Sequence, residues 1–593
     1  MTGTATRTQA MISAGSIDTL KEKGAVVVRA ADRPVVVFYN DGDLRAVDNR
    51  CPHMGFPLHK GSCEDGMITC HWHHARFDAC SGCTFDLWAD DVEPFAIEVR
   101  DGQVYVSSHP RPRDVAAHAL HRLRDGMRTN ISLIQAKAIL ALRGAGASEA
   151  DVVREAAVFG ADNRDDWASG LTSLTAMANL AGTLSEETAF LALYQGVSRV
   201  ASDCAGQAPR RPRQRLETDQ ITLETLGRWL RRWTVVRHRD GAERTLLTAI
   251  ESGASQRDLA WLLFGAATER PYASTGHLLD FLNKAFELLD LIGWEHAGRV
   301  LPGHMAALVS ARGGEESNAW RHPIDLIPLV HDVEAKLPDL LAAGRGKAWS
   351  DEAGLAECIL ADDPHVILDG LTGAIEAGAT AEQLGKSLAY AAAMRVARFG
   401  TSNEISDWIG ALHTFSYCNA LHQALKRCDA PVVLRGVMHG ALAVYLIRFL
   451  NVPPARLPGE KRDDKQRMDA LPSDADELRK VFLDRLDTQQ RVDEGALIVA
   501  RYLAMGHPAD ALIDTLALAA VREDVNFHTL QMVEAGVRQY REWGDSEQGR
   551  NILIAVARYL AAHSPTQRAQ LQTADIALRL HRGDDVYEDD DAS

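Results

Sequence analysis

The chain has 593 residues, 46% of them hydrophobic and 24% charged, which suits roughly four globular domain-sized units. Its 64 Lys and Arg against 81 Asp and Glu give a net charge of −17, which argues against nucleic acid as a partner, since such a partner needs a basic face. No apolar run reaches the ~18 residues of a membrane span, the N-terminus lacks a signal-peptide core, and nine Cys are too few for a disulfide framework, so no membrane and a reducing cytoplasm are expected.

In chain order, β-branched runs come first. Ala25-Val26-Val27-Val28 and Pro34-Val35-Val36-Val37-Phe38-Tyr39 read as strands, closed by the turn residues Asn40-Asp41-Gly42-Asp43. Phe95-Ala96-Ile97-Glu98-Val99 and Val104-Tyr105-Val106 flank Asp101-Gly102, which reads as a hairpin. Between them lie Cys51-Pro52-His53 and, sixteen residues on, Cys70-His71-Trp72-His73. A C-x-H followed by a C-x-x-H supplies two soft thiolates and two imidazoles from two loops. That set suits a [2Fe–2S] cluster with two Cys on one iron and two His on the other. A zinc site or a disulfide pair would use the same residues.

Residues 10–108 resemble the Rieske ferredoxin domain over its whole length, and Cys70 to Asp78 resembles that family's second cluster loop. The resemblance implies that Cys51 and Cys70 hold one iron and that His53 and His73 hold the other. Respiratory-chain members carry an extra Cys in each loop. Here Phe56 follows Gly55 and His74 follows His73, so the likeness is to the soluble ferredoxin and oxygenase type. Cys80-Ser81-Gly82-Cys83 lacks the βαβ context of a redox C-x-x-C and reads as two free thiols in a loop.

Past Pro112 the texture becomes helical. The fold class expected is multidomain α and β. An antiparallel β Rieske domain (1–108) precedes a large all-α repeat or bundle domain (113–580) and an acidic tail (581–593). Glycine breaks at Gly146, Gly253, Gly378 and Gly506, with Ser148, Ser255 and Thr380 as N-caps, suggest four divergent copies of roughly a hundred residues or more. Residues 205–217 and 452–476 read as linker and surface loop.

The copies make the histidines informative. His277, His413 and His528 each open or enter the long helix that follows a break, where the first copy has Gly170-Leu171-Thr172. His304 and His439 lie one helix later, and Asn551 is the fourth copy's counterpart. Facing helices of a bundle build metal sites in this way, and neutral imidazole suits Fe, Cu, Mn or Zn. Asp280 shares a helix face with His277 and is the carboxylate expected to complete the site, with Glu287, Glu534, Asp524 and Glu523 as further candidates. His118, His121, His238, His563 and His581 read as solvated. The His-headed helices, such as His528 to Ala535, resemble the questin oxidase-like helical family, which implies Baeyer–Villiger type oxidation of polyketides.

No G-x-G-x-x-G follows a strand and no Walker A sequence is present, so electrons are expected from a separate reductase or ferredoxin. The expected function is that of an iron–sulfur oxidoreductase. Its cluster relays single electrons to a His-lined iron site, where O₂ oxidises a small organic molecule. The alternative is a redox sensor or carrier whose helical repeats form a binding scaffold. A scaffold predicts scattered surface histidines; an enzyme predicts His277, His413 and His528 converging.

Overall fold

The computed structural model describes residues 10–584, except 32 and 219, together with residue 586. The acidic tail expected over 581–593 therefore falls largely outside the described residues. The chain divides into two compact units, one of residues up to 148 with those from 572 onward, the other of residues 149–571.

The first unit is built on nine strands: β1 (Met11–Ser16), β2 (Ala25–Ala30), β3 (Arg33–Asn40), β4 (Asp43–Asp48), β5 (Ser62–Glu64), β6 (Met67–Thr69), β7 (Arg76–Asp78), β8 (Pro94–Arg100) and β9 (Gln103–Pro110). Six form an antiparallel sheet in the order β1-β9-β8-β4-β3-β2, and its edge strands β1 and β2 approach each other, so it nearly closes into a barrel. Strands β5, β6 and β7 form a small separate sheet.

The unbroken apolar run of β3 has a physical reason. Val35 and Val37 face one core with Ala46, Phe95, Val104 and Val106. Val36 and Phe38 face the other, with Val47, Ile68, Phe77, Cys51 and Cys70. A strand buried on both faces needs apolar side chains at every position. The cluster loops thus rest on the outer face of the barrel.

The helices Val115–Arg128 and Ser132–Gly144, and residues 572–582 of the terminal helix, group with this β unit rather than with the helical one. The compact unit therefore does not end at residue 108. Polar reach holds the helices there: Arg122 Nη2 donates to the Ala89 carbonyl at 2.7 Å, and Arg50 Nη1 to the Gly583 carbonyl at 2.9 Å.

In the helical unit, Gly253, Gly378 and Gly506 have φ of 84°, 100° and 74°, as Gly146 of the first unit has 83°. Each follows a helix in the left-handed conformation that glycine adopts without strain. Ser255 and Thr380 cap the next helices in capping boxes with Asp258 and Gln383. Four long helices, Ser169–Ala181, His277–Ile292, Ile405–Arg427 and Phe527–Trp543, pack in a closed ring, each against two others.

Contrary to the expectation from sequence that no apolar run is long enough to span a membrane, the helical stretch Pro431–Leu450 has 20 residues and mean hydropathy 1.5. By length and composition alone this stretch could cross a membrane, because Arg435 and Arg448 are tolerated within it; 67% of it is buried inside the unit, as for a core helix.

A buried charge cluster ties the ring together. Lys284 Nζ donates to Glu287 Oε2 at 2.8 Å and to Glu534 Oε2 at 2.6 Å. Arg538 meets Glu287 Oε1 at 2.9 Å and Glu534 Oε1 at 3.2 Å. Asn179 Nδ2, from the first ring helix, donates to both carboxylates at 2.8 and 2.9 Å. Burial opposes the charge on Glu287, but Lys284 and then Arg538 outweigh it and hold the carboxyl at about 2, below its ordinary 4.5. The stability this contributes is present above pH 4.5 and is lost as pH falls toward 2.

Replacing Lys284 by Met leaves two buried carboxylates short of one cation. It should destabilise the helical unit by about 3–5 kcal/mol, read as a lower urea midpoint at pH 7. The loss should shrink in acid; a midpoint unchanged at pH 7 would show that the carboxylates find other partners.

Candidate functional site

The two cluster loops share one backbone plan. In the first, Cys51 N–H donates to the Phe56 carbonyl at 2.8 Å and Gly55 N–H to the Cys51 carbonyl at 2.7 Å. In the second, between β6 and β7, Cys70 N–H donates to the Ala75 carbonyl at 2.8 Å and His74 N–H to the Cys70 carbonyl at 2.9 Å. Each turn closes on a residue in the left-handed region, Gly55 at φ 85° and His74 at φ 64°. The residue that stands where respiratory members have a Cys thus serves the second turn.

The loops bring all four expected ligands together. Cys51 and Cys70 are buried, and their sulfurs lie within hydrogen-bonding reach of one another. The contact with Cys70, then burial, pushes the Cys51 thiol far up. The hydrogen bond from Cys51 brings Cys70 down to about 6, helped by backbone N–H donors at Trp72 and His73. Two sulfurs thus compete for one proton in an apolar setting. The rings of His53 and His73 meet edge to face at 4.9 Å, and Trp88 packs against His53 at 4.7 Å. Burial, then His73 and Lys137, hold the His53 ring at about 4, so it is neutral at pH 7. Its Nδ1 is buried with no hydrogen-bond partner. Two side-by-side sulfurs and an orphaned imidazole nitrogen fit a [2Fe–2S] group with mixed Cys and His ligation. The thiols lie inside; His53 is half-buried and His73 exposed. Cys80 and Cys83 are free and exposed on the loop beyond β7.

In the helical unit, His277, His413 and His528 converge, each half-buried and each offering a ligand nitrogen within 4.8 Å of the others. His413 Nε2 and His528 Nε2 lie 2.9 Å apart, and the His277 ring is 4.2 Å from that of His413. Burial holds all three neutral, at about 4 for His277 and about 3 for His413 and His528. Phe281 and Phe527 pack against the His277 ring at 5.1 and 5.6 Å.

A strained turn delivers His277. Tyr272, Ser274 and Thr275 sit at φ 48°, 51° and 52°, a conformation that costs non-glycine residues on the order of 1–3 kcal/mol each. Gly276 follows at φ 92°, and a Cβ there would come within 2.9 Å of Tyr417 Cβ and 3.2 Å of the His413 carbonyl. The glycine lets the His277 and His413 helices approach.

The other expected ligands are occupied elsewhere. Asp280 is buried one turn below His277, but its Oδ2 accepts from Gln531 Nε2 at 2.6 Å, and burial lifts its carboxyl to about 6. His304 stacks on Trp167 at 4.5 Å, and His439 Nε2 meets Glu334 Oε1 at 3.0 Å. Glu287 and Glu534 hold Lys284. Glu523 pairs with Arg568, and Asp524 accepts from the Ala569 and Gln570 backbone N–H groups.

His563, read from sequence as solvated, is half-buried, accepts no bond at its buried Nε2, and lies close enough to His528 to disfavour its protonation. No pattern in the chain marks it. Glu382, His422 and Glu542 also converge within 4.8 Å, but Lys426 pairs with both carboxylates.

The Rieske [2Fe-2S] domain family matches residues 10–91. A human "Rieske domain-containing protein" is 35% identical over 80 residues, 13% of this chain and 51% of its own length, so the chain spans about half of that relative. The "3-phenylpropionate/cinnamic acid dioxygenase ferredoxin subunit" of Photorhabdus laumondii is 32% identical over 12% of this chain and 71% of its own length. The ferredoxin component of the "naphthalene 1,2-dioxygenase/salicylate 5-hydroxylase systems" of Ralstonia sp is 28% identical over 16% of this chain and 94% of its own.

Replacing His73 with Ala should abolish the Rieske-type EPR signal of the dithionite-reduced full chain, whereas His413→Ala should leave it intact. A signal that survived the first change would remove His73 from the ligand set. Through its N-terminal residues 10–91, this chain belongs to the Rieske [2Fe-2S] domain family.

Proposed function

We propose that the protein is an oxidoreductase in which the Rieske cluster passes single electrons to a metal ion held by His277, His413 and His528, where O₂ oxidises a small organic molecule. The observation that carries this reading is the convergence of three neutral imidazoles on separate helices, with no carboxylate or cation among them. Neutral imidazole is the form that ligates metal, and three such nitrogens leave coordination positions open. Iron is the proposed ion.

The cluster supplies a one-electron couple. Each residue around it has a narrower task. Cys51 and Cys70 would hold the group as thiolates in the apolar interior, shielded from water. His53 and His73 would hold it on the side nearer solvent, where a donor can approach. The donor is a separate reductase or ferredoxin, consistent with ferredoxin-component relatives and a chain without nucleotide-binding motifs. At the second site, Phe281 and Phe527 exclude water on one side and give the pocket an apolar wall. A polyketide is the substrate class proposed, on the sequence reading alone that likens the His-headed helices to questin oxidase-like proteins. The compartment in this reading is a reducing cytoplasm.

Metal analysis of the full chain tests the proposal. Iron should exceed the cluster's two atoms per chain, and His413→Ala should remove the excess while the cluster EPR signal persists. Two irons in the wild-type chain, with no other metal taken up on titration with Fe(II), Zn(II) or Cu(II), would sink the metal site and leave an electron carrier. Gly276→Ala should weaken metal uptake at the triad by forcing the His277 and His413 helices apart, without altering the cluster spectrum.

A further inference from the structure

The first cluster loop is clamped from outside the family's residues. Lys137, on the helix Ser132–Gly144, donates from Nζ to the Pro52 carbonyl at 2.6 Å and ion-pairs with Asp90. Pro52 lies between Cys51 and His53. Asp90 also accepts from Arg122 Nε at 2.8 Å, and Arg122 Nη2 donates to the Ala89 carbonyl at 2.7 Å. Two residues earlier, Trp88 packs edge-on against the His53 ring at 4.7 Å. The links close a circuit: His53, Trp88, Asp90, Lys137, Pro52.

The clamp is mostly buried and forms part of a cavity wall. Side chains of Lys137, Asp90 and Arg122 are 16%, 17% and 7% exposed. Arg122 also faces Asp125 at 3.4 Å, so its charge is shared between two carboxylates. Lys137 places its ammonium on the cluster loop itself, at the carbonyl between Cys51 and His53. An adjoining cavity of about 590 Å³ is lined by more charges, but Arg33 and Arg50 in its wall pair with Asp48, and Arg33 also with Glu93. Within that wall the clamp is the part with a defined neighbour, the Pro52 carbonyl of the cluster loop.

We propose that Lys137 is a positioning residue for the cluster: its ammonium holds the His53 limb of the first loop and, by its charge, makes the cluster easier to reduce, with Asp90 moderating that charge. Reduction adds one electron to the group and no proton to Lys137. A fixed positive charge nearby stabilises the added negative charge, more so where water is excluded. The contribution comes from helices beyond residue 91, where the family match ends. It does not depend on what the helical unit does.

The test is a redox titration of the cluster in the full chain, followed by EPR. Lys137→Met should shift the midpoint potential down, Asp90→Asn should shift it up, and Lys137→Arg should stay near wild type. Unchanged g-values would confirm that His ligation is kept. Opposite shifts support the charge role, because mere loosening of the loop would move both variants the same way. Shifts of one sign, or none, overturn it. If Lys137→Met fails to hold the cluster, Asp90→Asn decides: an upward shift supports the proposal, and a downward or absent one refutes it.

Discussion

Two cysteine sulfurs pressed together in an apolar core are the constraint on which the first unit depends. Ionised together they would repel; neutral, each would waste a buried polar atom. A positively charged group held between them resolves the conflict, and the surrounding architecture supports that outcome. The outer face of β3 supplies the apolar floor. The small β5–β6–β7 sheet presents the second loop opposite the first. Backbone N–H groups point at the sulfurs, where they favour thiolate over thiol.

The helical unit handles polarity differently. At its interior, opposite charges are packed with nearly complete pairing, as Lys284, Glu287, Glu534 and Arg538 show. At the starts of the same two helices His277 and His528 meet His413 of a third helix, uncharged and with spare lone pairs: His277 Nδ1 and His528 Nδ1 have no partner. A protein that only needed stability would have satisfied those nitrogens or replaced them with leucines. The strained turn from Tyr272 to Gly276 points the same way, since backbone strain persists where surrounding structure has reason to hold it.

What the sequence made legible was what local spacing encodes. The cluster ligands stood out because each loop carries its own Cys and His, and the strand pattern around Val35 to Val37 is dictated by burial on both faces. The meeting of His277, His413 and His528 was visible only through the repeat of glycine breaks, not through any local motif. The fate of Asp280 was not visible at all, because its partner Gln531 is 251 residues away. His563 likewise gains its burial from tertiary packing. The helices after residue 112 looked like the start of the all-α domain because their composition is helical; their allegiance is set by single long side chains, Arg122 and Lys137, which composition does not reveal.

The salt-bridged ladder between the His277–Ile292 and Phe527–Trp543 helices has a mechanical consequence. Sliding one helix by a single turn, about 5.4 Å, would part Lys284 from Glu534 and Arg538 from Glu287. The ladder therefore acts as a ratchet pawl for axial register. His277 and His528 open those two helices and inherit that register, so their spacing is fixed deep in the bundle rather than by whatever enters between them.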